Sequence, residues 1–310
     1  MESYKAILSI ETPIGTPLIA STLWGHICWG ILYHKGEAAL KSFIGTYRSN
    51  EPAIILSDPF PLGWLPMPRL SARQCNDDHS SGYDQFEKNR RMAKQAWIRN
   101  RLFFDSCPIS RERLMSGEQS DDEEIPRFIK FEITRNMVDR LGGGTIEGVL
   151  YRSVSWMKDN GKEPDHRELY IWSTTSLDQI EKWLCWGLET GYGAKASVGK
   201  GKIRVLSIET ANWPTSGNRL LALSAFVSTK EIHGHCLNAH TTTHYGKVSG
   251  SFIHIEKPFK MPIVMFETGA TLSAEYGKSF CGSLVEGIHD NSEIVNLGMA
   301  PLVPFIEETV

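Results

Sequence analysis

The stretch of sequence that decides the fold runs from Gly191 to Gly201 and reads Gly-Tyr-Gly-Ala-Lys-Ala-Ser-Val-Gly-Lys-Gly. It contains four glycines and two lysines, and Lys202 follows it directly. Glycine permits positive φ and lets backbone N–H groups approach a ligand closely, while lysine supplies charge that suits phosphate. The pattern therefore indicates a backbone-lined anion site. The alternative that remains open is a glycine-rich turn that only reverses the chain.

The segments on either side of this loop bear on the kind of phosphate it would bind. Ser176 to Gln179 has capping-box spacing and begins a helical pattern that continues to Glu189, and Lys202 to Ile208 alternates like a strand. The predicted order is helix, loop, strand. Nucleotide-binding P-loops need strand, loop, helix, so that the phosphate meets a helix N-terminus. The sequence therefore favours an extended polynucleotide backbone over a mononucleotide.

Length and composition fit a folded protein of two domains. The 310 residues are 41% hydrophobic and 22% charged, and the net charge is −3. This charge argues against a protein that coats nucleic acid indiscriminately, because such a protein relies on a strongly basic surface. The six cysteines form no C-x-x-C pair, and no segment resembles a membrane span or a signal peptide. We expect a cytoplasmic protein with no metal, no other cofactor and no membrane partner.

Hydrophobic periodicity predicts helices packed on sheets, an α+β fold. Tyr4 to Ile10 alternates like a strand, and a helix through Leu23 to Tyr33 is predicted to be capped by Ser21 or Thr22. Residues 74–120 are polar and poorly periodic, which indicates an insertion on the fold. The N-terminal part is thus predicted to be one helix-on-sheet unit.

The second half of the chain is predicted to be richer in strands. Phe128 to Ile133 alternates, and three glycines at 142–144 precede the strand-like Tyr151 to Trp156, which together suggest a hairpin. Residues 169–208 form a strand, helix and strand, as in half of a ferredoxin-like sheet. Further strands are predicted at 220–227, 246–255, 262–267 and 295–304.

The glycine loop resembles the signature of the RAMP superfamily of CRISPR effector proteins, which has the form G-h-G-x5-G-h-G with h apolar. The glycines match at Gly191, Gly193, Gly199 and Gly201. Tyr192 matches the first apolar site, whereas Lys200 departs from the second. A lysine at that site suits a loop that faces phosphate.

Further segments are similar to one branch of this superfamily, the fourth Csm subunit of type III-A complexes. They are Ser21–Trp29, the proline-punctuated stretches Ile55–Pro61 and Leu65–Pro68, and the ending Val295–Ala300. These matches extend over nearly the whole chain, and residues 74–120 have no place in them.

The resemblance implies an α+β subunit of two ferredoxin-like (RRM-like) domains with a β-rich C-terminal part. The first domain would comprise residues 1–125, with the insertion near 74–120. The second would comprise residues 126–310, with a hairpin near 136–151 and the glycine loop. The implied role is non-catalytic: the subunit would hold the 5′ repeat-derived tag of the crRNA and dock the large polymerase-like Csm subunit and a backbone RAMP subunit. The hairpin would kink the RNA between tag and guide.

The RNA-binding residues that the resemblance implies lie in the glycine loop, at the start of the first helix and in the hairpin. They are Gly191, Tyr192, Gly193, Lys195, Ser197, Gly199, Lys200, Gly201, Ser21, Thr22, Trp24, His26, Arg135, Asn136 and Arg140. Tyr192 would stack on a base, which is worth about 1–3 kcal/mol. Its equally open alternative is a core tyrosine between helix and sheet.

Three other functions remain open on sequence alone. A Cas-six-like, metal-independent endoribonuclease shares this fold and loop, and would use His26 or His34 as general acid or base with Lys195 beside the oxyanion. A zinc site between His233 and His244 is disfavoured, because three consecutive threonines oppose the helix that would bring its ligands together. A purely structural adaptor without RNA contact is the third.

Overall fold

The computed structural model of the chain describes residues 1–70, 95–110, 113–114, 128–159, 164–248 and 258–308. Its helices are α1 (Ala20–Lys35), α2 (Glu37–Arg48), α3 (Arg101–Phe104) and α4 (Leu177–Leu188). Its strands are β1 (Glu2–Ile10), β2 (Ile54–Leu56), β3 (Phe60–Pro61), β4 (Trp64–Pro66), β5 (Trp97–Arg99), β6 (Phe128–Val138), β7 (Thr145–Lys158), β8 (Asp165–Ser173), β9 (Ile203–Thr210), β10 (Arg219–Ala222), β11 (Cys236–Asn238), β12 (Thr241–His244), β13 (Ile263–Phe266), β14 (Thr271–Ser273), β15 (Phe280–Val285) and β16 (Asn296–Phe305). Most of the predicted insertion at 74–120, and most of the strand predicted at 246–255, lie outside the described residues.

The first sheet is antiparallel, with strand order β2-β8-β1-β9 and β3 beside β8. On β1, the residues predicted to share a face, Tyr4, Ala6, Leu8 and Ile10, are all buried, which confirms the alternation. The predicted strand, helix and strand at 169–208 are present as β8, α4 and β9.

This first sheet contains strands from both sides of residue 126, where the resemblance implied the start of a second domain. Strands β8 and β9 come from the second half of the chain, yet they pair with the two sides of β1. Periodicity defines which face of β1 is buried but says nothing about its neighbours. The two edges of β1 had to be covered, and the chain does so with strands that begin more than 150 residues later.

Helices α1 and α4 cross in direct backbone contact beside the first sheet. A Cβ on Gly30 would lie 2.7 Å from the nitrogen of Gly187, and a Cβ on Gly187 would lie 2.9 Å from the nitrogen of Ile27. Real Cβ atoms do not approach backbone this closely, so the crossing depends on both glycines. It sets the position of the C-terminal end of α4, from which the glycine loop continues.

The second sheet has strand order β11-β14-β10-β16-β15. Strand β16 is buried at nearly every position, and its side chains contribute to two hydrophobic cores. Leu297 and Met299 pack into the core that includes α1, whereas Ala300 and Leu302 pack into a second core with strands β10 and β14. The predicted α+β class is confirmed, and the architecture consists of several sheets. Within the described ranges, no helix has the length and apolar character needed to span a membrane.

The hairpin formed by β6 and β7 is an antiparallel pair separate from both large sheets. Its turn is closed by Asp139, whose carboxylate accepts hydrogen bonds from the backbone N–H groups of Leu141 (3.0 Å) and Gly142 (3.1 Å). The paired strands extend from Phe128 to Lys158. They include the strand patterns predicted at 128–133 and 151–156, and they extend beyond the stretch 136–151 that the resemblance implied.

The predicted cap of α1 is wrong. Ser21 and Thr22 lie inside the helix. The N-cap residue is Ile19, whose side chain accepts no capping hydrogen bond. The side chain of Asp58 instead accepts the N–H of Ala20 at 2.8 Å. It also accepts a hydrogen bond from the hydroxyl of Thr268. A cap supplied 38 residues downstream leaves no local sequence signal.

Burial raises the pKa of Asp58 from 3.8 to about 6, although the hydrogen bonds from Thr268 and Ala20 oppose this rise. A raised folded-state pKa means that the folded protein binds this proton more tightly than the unfolded chain does. The free energy of unfolding therefore decreases as the pH rises from about 4 to about 6, by up to about 3 kcal/mol.

We predict that Asp58→Asn removes this part of the pH dependence. The amide oxygen can still accept the N–H of Ala20, so the helix start is retained while the titrating group is lost. Denaturant unfolding of both proteins between pH 4 and pH 8 measures the effect. Identical pH dependence in the variant and the wild type would contradict the assignment.

Candidate nucleic-acid interface

The glycine loop is attached to the segment that joins β1 to α1, residues 11–19, which we call the β1–α1 connection. The carbonyl of Pro13 accepts the N–H of Gly201 at 2.9 Å. The hydroxyl of Thr16 accepts the N–H of Ala194 at 2.9 Å, and the hydroxyl of Thr12 accepts the N–H of Lys202 at 2.9 Å. Both ends of the loop are therefore fixed to the same short segment.

Tyr192 is a core residue rather than a base-stacking residue, which corrects one of the two interpretations of the sequence. Its side chain is 1% exposed. Its hydroxyl donates to the carbonyl of Pro17 at 2.7 Å and accepts the N–H of Ile19 at 3.0 Å. Burial raises its pKa. With its ring covered and its hydroxyl bonded twice, Tyr192 cannot offer a face to a base.

All four glycines of the loop have positive φ, between 72° and 87°. Lys195 also has positive φ, at 65°. Space is the second requirement at some of these positions: a Cβ on Gly201 would overlap the carbonyl oxygen of Tyr192, and a Cβ on Gly193 would lie 2.7 Å from that of Thr16. Around Gly199 there is open space.

This difference predicts unequal effects of two similar substitutions. Gly201→Ala combines backbone strain with an overlap and should lower the free energy of unfolding by about 3 kcal/mol, whereas Gly199→Ala adds strain alone and should cost about 1 kcal/mol. Urea unfolding of the two variants and the wild type measures both. Equal losses would show that the close approach of Gly201 to Tyr192 has no energetic weight.

His26 contacts the loop, but through its ring nitrogen. Nε2 accepts the N–H of Gly193 at 2.9 Å, so the proton of the neutral ring is on Nδ1. Burial lowers the pKa of His26 to about 4. His26 is thus a neutral positioning residue for the loop at physiological pH, and it contributes no charge toward a phosphate.

Of the other residues proposed at the start of α1, Trp24 is structural. Trp24 is 3% exposed and packs against Phe43 and Tyr47, which corrects its assignment as an RNA contact. Ser21 and Thr22 are half-buried in the first turn. The carboxylate of Asp58 at the N-terminus of this helix opposes phosphate binding there, since like charges repel.

Three cations from the loop and the hairpin come together at what we call the cationic junction: Lys195, Lys200 and Arg135. The Nζ atoms of Lys195 and Lys200 each donate to the hydroxyl of Ser153 at 3.0 Å. Lys200 also donates to the hydroxyl of Ser155. Burial, Lys195 and Arg135 each lower the pKa of Lys200, which is evidence of mutual repulsion.

The cationic junction has no compensating negative charge in the described part of the chain. None of its three cations forms an ion pair with an aspartate or a glutamate there, whereas Lys5, Lys41, Arg48 and Lys278 each do. Lys200 is only 8% exposed, which explains how a lysine replaces the apolar residue of the motif. Its stem is buried while its ammonium group reaches the hairpin.

Tyr151 is a residue that the sequence interpretation did not single out. It is 44% exposed and pairs across the hairpin with Arg135. The Nζ of Lys195 lies 5.1 Å from the centre of its ring. Strand alternation puts Tyr151, Ser153 and Ser155 on one face of β7. This alternation was the signal in the sequence from which Tyr151 could have been assigned to the site.

The remaining predicted residues lie around the junction or beyond it. Ser197 and Gly199 are exposed on the outer side of the loop. Asn136 pairs with Leu150 next to Arg135 and Tyr151. Arg140 is exposed in the hairpin turn, five residues beyond Arg135. Among the described residues, no group of three His, Cys, Asp or Glu side chains is arranged to hold a metal ion.

No protein-family model matches the sequence, and no curated protein matches it. Solved structures match in fold. A chain from a crystal structure of a Csm1–Csm4 cassette in complex with pppApA aligns over 99% of this chain and 100% of its own length, with a TM-score of 0.59 and 14% identity. A chain from the Csm3–Csm4 subcomplex of a type III-A CRISPR–Cas interference complex aligns over 97% and 99%, with a TM-score of 0.53 and 12% identity.

The second of these neighbours comes from a CRISPR–Cas interference complex, and Csm4 is the subunit that the two complexes have in common. The alignments extend over nearly the full length of every chain involved. Identities of 12–14% relate the folds and leave the function to be argued from the residues. Over nearly its whole length, the chain therefore shares its fold with chains from these two Csm4-containing complexes.

Proposed function

We propose that this chain is a non-catalytic, crRNA-binding subunit of a type III-A CRISPR effector complex and that it holds the 5′ repeat-derived tag. The observation that carries the proposal is the cationic junction. Three cations that have no acidic partner among the described residues lie beside a half-exposed tyrosine ring. Together they offer what single-stranded RNA needs: a charged track for phosphates and an aromatic face for a base.

The cationic junction is suited to phosphate because its ammonium groups now bond to neutral hydroxyl groups, which do not compensate their charge. Two ammonium groups share one serine hydroxyl, and Lys200 has a lowered pKa because it is buried near two other cations. A phosphate oxygen there would form charge-assisted hydrogen bonds and relieve the repulsion. The net charge of −3 for the whole chain makes this local concentration of positive charge stand out.

The fold supports the partners named in the proposal. Chains of the same fold occur in complexes with Csm1 and with Csm3, so we propose docking to a large polymerase-like subunit and to a backbone RAMP subunit. We also propose that β1-α1-β2 and β8-α4-β9 form one ferredoxin-like domain, because the order β2-β8-β1-β9 is that of a split βαβ sheet. The sheet that contains β16 would belong to the second domain.

The hairpin is the proposed element that bends the RNA where the tag ends. It projects from the junction, and its turn exposes Leu141 completely. Apolar wedges at the end of such an element separate stacked bases, and Arg140 and Asn136 lie close to the turn, where they would contact the backbone on either side. This part of the proposal extends the role of β6 and β7 beyond the junction.

A metal-independent ribonuclease is the weaker alternative. A general acid or base works best with a pKa near the operating pH, and the pKa of His26 is about 4, with Nε2 already bonded to Gly193. His34 is on the surface, 2.7 Å from the carboxylate of Glu189 and stacked on Trp186. It lies at the C-terminal end of α1, whereas the β1–α1 connection, which holds the glycine loop, precedes the N-terminal end.

We predict that the double substitution Lys195→Ala, Lys200→Ala weakens binding of a short single-stranded RNA at least about 30-fold, the effect of losing about 2 kcal/mol of charge-assisted hydrogen bonding. The slope of log affinity against log salt should become shallower by about 1.4, because two phosphate contacts are lost. Titration of labelled RNA at several salt concentrations measures both quantities.

The matched control is Lys41→Ala, Lys278→Ala, which removes the same charge from exposed lysines that are paired with Glu37 and Glu231. It should leave affinity and salt slope nearly unchanged. Co-expression with the partner subunits and a crRNA source adds the specific test: RNAs that co-purify with the wild type should share one repeat-derived 5′ end. RNAs with random ends, or a cleavage product that His26→Ala abolishes, would refute tag binding.

A further inference from the structure

An aromatic pair on α1 lies on the same face of that helix as His26. Trp29 and Tyr33 follow His26 by three and seven residues, so the three side chains form one stripe along the helix. The rings of Trp29 and Tyr33 are stacked, with centroids 5.6 Å apart and planes inclined by 29°. Trp29 is half-buried and Tyr33 is 62% exposed.

This stripe begins at the glycine loop. Nε2 of His26 accepts the N–H of Gly193, which places the first member of the stripe in direct contact with the loop. Tyr33 lies about 10 Å further along the helix axis, given a rise of 1.5 Å per residue. A strand of RNA that leaves the loop along α1 would therefore reach Tyr33 within a few nucleotides.

The charges around the stripe favour a polyanion. Helix α1 contains no aspartate or glutamate, and its last turn carries His34 and Lys35. Near this end of the helix, Glu37 forms an ion pair with Lys41, and the carboxylate of Glu189 lies 2.7 Å from Nε2 of His34. An exposed tyrosine without acidic neighbours on its own helix fits an RNA base better than it fits a basic protein surface.

We propose that Tyr33 is a stacking site for an unpaired RNA base. The base would add a third ring to the stacked pair of Trp29 and Tyr33. This inference rests on the proposed RNA-binding function and adds a second contact region to it. Stacking recognises the π face that every base has, so the site would be tolerant of sequence. Trp29 fixes the orientation of the Tyr33 ring from the inner side.

The test uses the full chain and short single-stranded RNAs that carry 2-aminopurine at one position each, because the fluorescence of this base is quenched when it stacks. Tyr33→Ala should weaken binding about 5- to 150-fold, which corresponds to 1–3 kcal/mol per stacked base. It should also abolish quenching at one RNA position and leave the salt slope unchanged, since no phosphate contact is lost. Tyr33→Phe keeps the ring and should behave like the wild type.

The possible failures are distinguishable. If Tyr33→Ala binds RNA within twofold of the wild type while Lys195→Ala, Lys200→Ala does not, the stacking site is refuted and the RNA-binding function stands. If Tyr33→Ala reduces only co-purification of a protein subunit, the stripe is a protein contact and the inference is wrong. If the wild type binds no RNA, the proposed function fails and this inference fails with it. Unchanged thermal unfolding of Tyr33→Ala excludes a folding defect.

Discussion

The hydroxyl group of Tyr192 bonds twice to the β1–α1 connection, and the arrangement of the whole site depends on this attachment. The N–H of Ile19 and the carbonyl of Pro17 are backbone groups just before α1, where a chain entering a helix leaves polar groups to be satisfied. Because the ring is buried as well, the bonds form in an environment where leaving them unmade would cost about 1–3 kcal/mol each. The loop is therefore fixed relative to α1 and to β1 together.

The β1–α1 connection also contacts the hairpin, and it thereby fixes the position of the hairpin relative to the glycine loop. Ile14 exchanges backbone hydrogen bonds of 2.9 Å with Trp156 on β7, while Pro13 binds Gly201 on the other side. Ser153 and Ser155 are thereby placed under the two lysines of the loop. A cationic cluster that repels itself exists only because the backbone on both sides of it is fixed, and such a cluster is ready for an anion.

Local patterns in the sequence predicted much of the fold. The alternation on β1, the helical spacing after Ser176 and the strand after Lys202 correspond to β1, α4 and β9. What the sequence could not supply was pairing between distant segments. Strand β1 lies between β8 and β9, and α1 is capped by Asp58, because these contacts depend on the folded chain and leave no periodicity near the residues concerned.

Prediction of the site divided along the same line. The glycine spacing located the loop, and Lys195, Lys200 and Arg135 do come together. The direction of two aromatic side chains was the part that failed: Tyr192 and Trp24 are buried in the core. Aromatic residues in a motif are favoured equally by a core and by a base, and only burial separates the two.

The most direct test of the account is ultraviolet cross-linking of the protein to the RNA that co-purifies with it, followed by mass spectrometry of the cross-linked peptides. The account predicts cross-links at Tyr151 and in the loop from Lys195 to Lys202, because these residues flank the cationic junction. Cross-links that occur elsewhere in the chain, with none in residues 145–158 or 191–202, would contradict the claim that the junction of loop and hairpin holds the RNA.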